Sequence, residues 1–483
     1  MDNQRVPMFT RRRVIASTAA VAFGAAIPSL WAPNGNAASN SEEVTLHAAA
    51  GHNKLGSGVT GPATLWRFNE SIPGPEIRIR QGSRLRVTVD NGLAEDTTVH
   101  WHGVRTPNAM DGVPYLTQKP ISPGNQFVYD FNAIDAGTYW YHPHQRSFEQ
   151  VGRGLYGPLI IEEANPIQVD RDLTWMLDDW RLNPSGEIED DFGNSHDMSH
   201  SGRIGNFVTI NGTRLDTFIV RTGERIRLRL INAANARIFG LDFQGHDPLV
   251  IALDGQPITP HRPENGLVVL GPAMRIDLIL DMTGNPGESN EVIDRFYDGL
   301  TYQLTRIRYS NEVIRDSPPD WPTQLPANPL KVPDLKTAKR HEVTFSGGMM
   351  GNMVARDMGI NTTRSNAMMG MMHSDKIWFI NGIAAEGHIM DPMLTLELDR
   401  SHVIAMTNAS AWYHPIHLHG HSFRVISRNG EKTKYREWQD TVLMAPRETV
   451  EIAFVADNPG DWMFHCHILE HQASGMMGVI RVA

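Results

Sequence analysis

Four short clusters hold the residues with chemistry to offer. They are His100-Trp101-His102-Gly103, His142-Pro143-His144, His414-Pro415-Ile416-His417-Leu418-His419, and His465-Cys466-His467 with His471 and Met476 behind it. Together they bring ten histidines, one thiol and one thioether. In an extended strand residues i and i+2 point to the same face, so a His-X-His run aims two imidazoles one way. Such runs repeated across one chain form a metal constellation. His47, His196, His246, His373 and His388 stand alone and are read as packing or surface residues.

Ligand type narrows the metal. Cys466 with His414, His471 and a weak axial Met476 is the two-histidine, one-cysteine set of a blue-copper electron-transfer site. Met476 follows Cys466 by ten residues and His471 by five, so one loop returns it to the metal. A structural zinc site wants more thiolates or a closed tetrahedral set, and zinc takes no electrons. His465 and His467 flank Cys466 and, in a strand, point away from it. The thiolate then serves one copper while the two histidines serve others on the opposite face, joined by a covalent path of a few bonds. Eight histidines remain, four near the start of the chain and four near its end. Eight nitrogens can hold three coppers and leave open positions for dioxygen. With the blue copper that makes four electrons, the number that takes dioxygen to two waters.

The elements that position these ligands show as internal repeats. Gly82–Asn91, Gly223–Asn232 and Asp399–Asn408 each alternate apolar and polar residues and end on an asparagine. Period-two alternation predicts half-buried strands. Nine residues past Asn91 comes His100, and nine past Asn408 comes His417; nine past Asn232 comes Leu241-Asp242-Phe243-Gln244, which has no histidine. Gly137–His142 likewise matches Gly460–His465. The expected fold is all-β: three consecutive Greek-key β-sandwich domains at about 41–165, 166–314 and 337–483, the middle one without copper ligands. Six prolines between Pro318 and Pro333 mark a linker over 315–336.

The chain has 483 residues, 41% hydrophobic and 20% charged, which is the composition of a soluble multidomain protein. A net charge of −10 with no basic block argues against nucleic acid as a partner. With one cysteine no intramolecular disulfide can form. Residues 1–38 carry Thr10-Arg11-Arg12-Arg13-Val14-Ile15, a weakly apolar Ala/Gly/Ser-rich stretch and small residues at Ala37-Ala38. This predicts a twin-arginine signal peptide, export to the periplasm, cleavage, and no stable membrane insertion afterwards. A monomer is expected.

The four motifs, in this order and spacing, resemble those of the three-domain multicopper oxidases: laccases, bilirubin oxidases and bacterial copper efflux (cuprous) oxidases. The resemblance covers about residues 41–483 and implies cupredoxin-like domains and four coppers. It assigns His414, Cys466, His471 and Met476 to a type 1 copper, and His100 and His417 to a type 2 copper. It gives His102, His142 and His467 to one type 3 copper, and His144, His419 and His465 to the other. Asp111 matches an acidic residue that the family places near the type 2 copper as a proton relay. Bacterial cuprous oxidases often carry a glutamate where this chain has Gln472, which cannot transfer a proton as a carboxylate does; Glu470 is the candidate substitute.

For the electron donor, eight methionines from Met349 to Met372 crowd the segment 346–373. Thioethers select Cu(I), which points to a cuprous oxidase for copper tolerance. The copper efflux oxidases place an Asp and a Met shortly before the first type 1 histidine. Here Ser410-Ala411-Trp412-Tyr413 fill that stretch, and the aromatic pair suits shielding of the copper or a shallow site for phenols. A laccase acting on phenols or aromatic amines is therefore the second reading. A copper-free binding or division-assisting relative is a remote third, set against the full ligand set.

Overall fold

The computed structural model describes residues 41–56, 59, 61–360, 376–387 and 391–483. The twin-arginine segment and Met368, Met369, Met371 and Met372 lie outside the described residues. Among those described, strands dominate and every helix is short. Three cupredoxin-type domains follow one another, each built on two sheets.

One sheet of each domain repeats a single plan. In the first, Ser41–Asn53 lies parallel to Arg84–Asn91, which pairs antiparallel with Gln126–Asn132. In the second, Arg171–Trp180 lies parallel to Arg225–Asn232, which pairs antiparallel with Arg275–Asp281. In the third, Lys339–Gly347 lies parallel to Ser401–Ala409, which pairs antiparallel with Thr449–Val455. The three central strands are the three repeats of the sequence.

The asparagine closing each repeat has the same task every time. Asn91 Nδ2 donates to Glu95 O (2.9 Å) and Ile121 O (2.7 Å), while its Oδ1 accepts from Leu93 N (3.0 Å). Asn232 Nδ2 donates to Arg237 O (2.8 Å) and Leu270 O (3.0 Å), and Oδ1 accepts from Ala234 N (3.0 Å). Asn408 Nδ2 donates to Trp412 O (2.8 Å) and Ala445 O (2.8 Å), and Oδ1 accepts from Ser410 N (3.1 Å). All three are fully buried. Each pins the turn that leads from the central strand of one sheet to the strand that carries, in domains 1 and 3, the metal ligands.

Alternation predicted half-buried strands, and Arg84–Asn91 behaves so. Arg225–Asn232 does not: every residue is buried, arginines included. Its polar face meets domain 1 instead of water. Arg227 bonds Glu163 Oε1 (2.8 Å) and Asp277 Oδ2 (2.7 Å); Arg229 bonds Asp172 Oδ1 (2.6 Å) and Thr138 Oγ1 (2.9 Å). The Pro-rich stretch is also no free tether. Asn328 Nδ2 donates to Ala136 O (2.8 Å) of domain 1 and Gln256 Oε1 (2.9 Å) of domain 2, and Leu325 is buried.

Asn232→Ala removes a buried side-chain partner from two carbonyls and one N–H. A loss on the order of 3 kcal/mol follows from the cost of unmade buried hydrogen bonds. It should appear as a lowered first transition in thermal or urea unfolding; an unchanged transition would refute the capping role.

Candidate metal centre

The ligand strands belong to the second sheets. His100–His102 pairs with Gly137–His142 so that His100 faces His142 and His102 faces Trp140. His414–Leu418 pairs with Gly460–Cys466 so that Ile416 faces Cys466 and His417 faces His465. Domain 1 and domain 3 then interleave their imidazoles. The His100 ring stacks on His419 at 3.9 Å, and the His102 ring on His417 at 3.8 Å.

Three groups of ligand atoms result: His100, His102 and His417; His102, His142 and His467; His144, His419 and His465. All eight histidines are buried. Several of their outer nitrogens are spoken for. His100 Nδ1–H donates to Asp111 O (2.7 Å), His142 Nδ1–H to Pro143 O (3.0 Å) and His417 Nδ1–H to Asp440 O (2.8 Å). Each bond fixes the tautomer and turns the lone pair of Nε2 inward. Those Nε2 atoms of His100, His142 and His417 are buried without a hydrogen-bond partner, as are both ring nitrogens of His467. His419 Nε2 and His465 Nε2 face each other at 3.1 Å, although their Nδ1–H groups already donate to Asp111 Oδ2 (2.9 Å) and Cys466 O (2.9 Å). Two lone pairs at that distance need a cation between them, so the donor set fits a cluster of copper ions.

A fourth group, His414, Cys466 and His471, lies apart. The Cys466 Sγ is 3.5 Å from His414 Nδ1 and 3.7 Å from His471 Nδ1, and the two nitrogens are 3.1 Å apart. Met476 is buried in the same core, and its carbonyl accepts from Cys466 N (3.1 Å). His414 Nε2–H donates to Ser410 Oγ (2.8 Å), whose hydroxyl donates to Asn408 Oδ1 (2.8 Å). The asparagine of the third repeat thus orients a histidine of this candidate metal group. His471 Nε2–H donates to the carbonyl of His200 (2.6 Å), at the end of the domain 2 helix Ser195–Ser199. Trp378 lies over His471 at 4.2 Å. Burial pushes the Cys466 thiol up, and a metal bound there would take the place of its proton.

Asp111 sits where the resemblance placed it, against two cluster histidines: its Oδ1 is 3.3 Å from His100 Nδ1, besides the His419 bond. Gly112 allows this approach, since a Cβ there would strike Val99 O and His100 N. Glu470 faces elsewhere. Its Oε1 accepts from Asn235 Nδ2 (2.9 Å) of domain 2, and burial raises its carboxyl to about 7. On the same short helix, Leu469–Ala473, Gln472 reaches a cluster histidine, with Nε2 3.3 Å from His144 Nε2. Sequence reasoning missed Asp440. Its Oδ1 accepts from His102 Nε2 (3.2 Å), and Arg275 of domain 2 grips both its oxygens (2.8 and 2.5 Å). Burial opposes ionisation of Asp440, but Arg275 overrides it and holds the carboxyl low.

Fold and site together define a three-domain cupredoxin-type protein with a buried histidine cluster joined to a cysteine–histidine metal site. Three family models, each described as multicopper oxidase, match residues 53–166, 171–288 and 360–483. A laccase of Botryotinia fuckeliana is 30% identical over 87% of this chain and 78% of its own. Among solved structures, a multi-copper oxidase from Pseudomonas thermotolerans has TM-score 0.80 and 34% identity, covering 92% of this chain and 99% of that one. A Campylobacter jejuni multicopper oxidase, described as a metallo-oxidase, has TM-score 0.75 and 29% identity, covering 93% of each chain. The chain belongs to the multicopper oxidase family and is an oxidoreductase. The family implies copper ions, dioxygen and a reducing substrate.

Burial, and then the neighbouring imidazoles, hold His102, His142, His414, His419 and His467 well below the ordinary 6.5. Burial also lowers His417, and His471 to about 3. These seven are neutral when folded, so below pH 6.5 the unfolded chain binds more protons and the metal-free fold loses stability. Glu470, Asp254 and Asp178, raised by burial, work the opposite way but are three groups against seven. The melting temperature of the metal-free protein should therefore fall steadily as pH drops from 6.5 and stay nearly level just above it. A constant melting temperature down to pH 4 would show that the cluster is not buried neutral.

Proposed function

We propose that this protein is a periplasmic cuprous oxidase serving copper tolerance, which couples one-electron oxidation of Cu(I) to four-electron reduction of dioxygen to water. It holds four coppers. His414, Cys466, His471 and Met476 take the type 1 copper; His100 and His417 take the type 2 copper. His102, His142 and His467 take one type 3 copper, and His144, His419 and His465 take the other. Copper, when bound, supplies the one-electron redox steps that the side chains themselves cannot. The polypeptide excludes bulk water, orients His100, His142, His417, His419 and His465 through their outer nitrogens, and links the two sites covalently through His465-Cys466-His467. Asp111, bonded to histidines from both domains, is placed to hold and pass a proton at the cluster.

The observation that carries the choice of donor is a row of exposed thioethers beside the type 1 ligands. Met349, Met350 and Met353 are 41%, 54% and 50% exposed. Met349 N donates to Ser199 O (2.8 Å), and Met349 O accepts from Trp412 Nε1 (3.1 Å). This segment is thereby clasped to the domain 2 turn whose His200 carbonyl receives the Nε2–H of His471. Half-exposed methionines leave much of their apolar surface in water, while a soft cation such as Cu(I) gives them a use. The metallo-oxidase of C. jejuni agrees with this reading. The laccase reading rests on Trp412, whose ring meets His200 of the same turn, on Tyr413, which is 37% exposed, and on the B. fuckeliana laccase.

Oxygen uptake separates the two. Leucine at 349, 350 and 353 keeps volume and removes sulfur. With Met349→Leu, Met350→Leu and Met353→Leu combined, kcat/KM for Cu(I) should fall about tenfold, the effect of losing one interaction of about 1.4 kcal/mol, while a simple phenol is oxidised as before. Unchanged Cu(I) oxidation with faster phenol turnover would favour the laccase. Export has its own test: Arg11→Lys with Arg12→Lys should retain the protein in the cytoplasm, and normal periplasmic recovery would remove the twin-arginine assignment.

A further inference from the structure

The two carboxylates at the cluster are related by the pseudo-symmetry of domains 1 and 3. Asp111 takes its own domain's His100 on its main-chain carbonyl (2.7 Å) and the other domain's His419 on its carboxylate (2.9 Å). Asp440 takes its own domain's His417 on its main-chain carbonyl (2.8 Å) and the other domain's His102 on its carboxylate (3.2 Å). Each aspartate thus orients one of the two stacked cross-domain imidazole pairs. The symmetry then breaks. Among the described residues the ion-pair partners of Asp111 are the two histidines. Asp440 is gripped by the fully buried Arg275, Nη1 on Oδ1 at 2.8 Å and Nη2 on Oδ2 at 2.5 Å.

Arg275 is braced from every side. Its Nε donates to Thr138 O (3.2 Å), on the domain 1 strand that ends in His142. Asp254, also of domain 2, accepts from Arg275 N (2.9 Å) on one oxygen and from Asp440 N (3.2 Å) and Thr441 N (3.0 Å) on the other. Gly103, directly after His102, leaves the space: a Cβ there would run into Arg275 Nη2 and Asp440 Oδ2. A two-pronged Arg–carboxylate contact fixes orientation as a point charge does not.

We infer that Arg275, from the domain that supplies no metal ligand, is a positioning residue for the copper cluster: acting through Asp440, it sets the orientation of His102 and His417 and so ties the cluster to the docking of all three domains. Asp111 keeps the freedom to handle protons, while Asp440 serves as an anchor. This rests on the copper assignment above and not on the choice of donor.

The test compares Arg275→Met, Arg275→Lys, Asp440→Asn and the double variant Arg275→Met/Asp440→Asn with the parent, all loaded with copper. Readouts are copper per chain, the electron paramagnetic resonance of the cluster, the blue absorption of the cysteine-bound copper, and phenol kinetics. The parent must first show four coppers and a cluster signature; if it does not, the copper assignment fails and not this inference. Expected for Arg275→Met is an altered cluster signature with reduced copper content and an intact blue band. KM for the phenol stays unchanged, and kcat falls about 10- to 100-fold, as for other groups that orient metal ligands. Arg275→Lys, which keeps charge and loses the fork, should not restore the signature, and the double variant should be no worse than Asp440→Asn. An unaltered cluster in Arg275→Met, full rescue by lysine, or additive losses in the double variant would each overturn the inference. So would loss of the blue band together with a collapsed melting temperature of the metal-free protein, which would mark Arg275 as merely structural.

Discussion

Eight buried imidazoles turned towards one another are the constraint on which the rest of this molecule depends. They must stay neutral, and an imidazole that spends its outer nitrogen on a partner keeps the inner one free for a metal. Main-chain carbonyls meet much of that demand: Asp111 O, Pro143 O, Asp440 O and Cys466 O. A carbonyl cannot move independently of its strand, so ligand orientation inherits the precision of sheet register. This is why the ligands sit in strands paired as His100 with His142 and His417 with His465. It is also why the cluster forms where two domains meet, since one sheet presents His-X-His to one side only.

A site split between domains is only as well defined as their docking. Here the middle domain contributes in place of ligands. Arg227 and Arg229 present their strand's polar face to Glu163, Asp172 and Thr138, and Arg275 reaches Thr138 O and Asp440. Such buried pairs repay little net stability against their desolvation, yet they tolerate no misdocking, because a displaced guanidinium would be left buried and unpaired. The Pro-rich stretch adds to this through Asn328, which joins domains 1 and 2.

Much of this was legible in the sequence because it is periodic. Alternation marked the central strands, and the asparagine ending each repeat proved to be a capping residue used three times. The ligand histidines announced themselves by i, i+2 spacing. What stayed hidden lacked a local signal. The arginines of Arg225–Asn232 read as a solvent face because a polar residue facing another domain looks the same as one facing water. Asp440 has no fixed spacing from any ligand; it meets His102 only through domain packing. Glu470 and Gln472 would share a face in a strand. They lie instead in the short helix Leu469–Ala473, where residues two apart diverge, so one turns to Asn235 and the other to His144.

The two His-X-His-Gly motifs look interchangeable in sequence, and their glycines show that they are not. A Cβ at Gly420 would meet the Trp462 ring, a packing contact inside domain 3, whereas one at Gly103 would meet the Arg275–Asp440 pair. The same residue thus guards a core in one repeat and an electrostatic clamp in the other. Duplication of a cupredoxin unit can supply equivalent ligands, but a cluster shared by two copies needs something outside both to hold them in register. In this chain that part falls to the repeat that carries no histidine at the equivalent position, and whose side chains reach the cluster through a salt bridge instead.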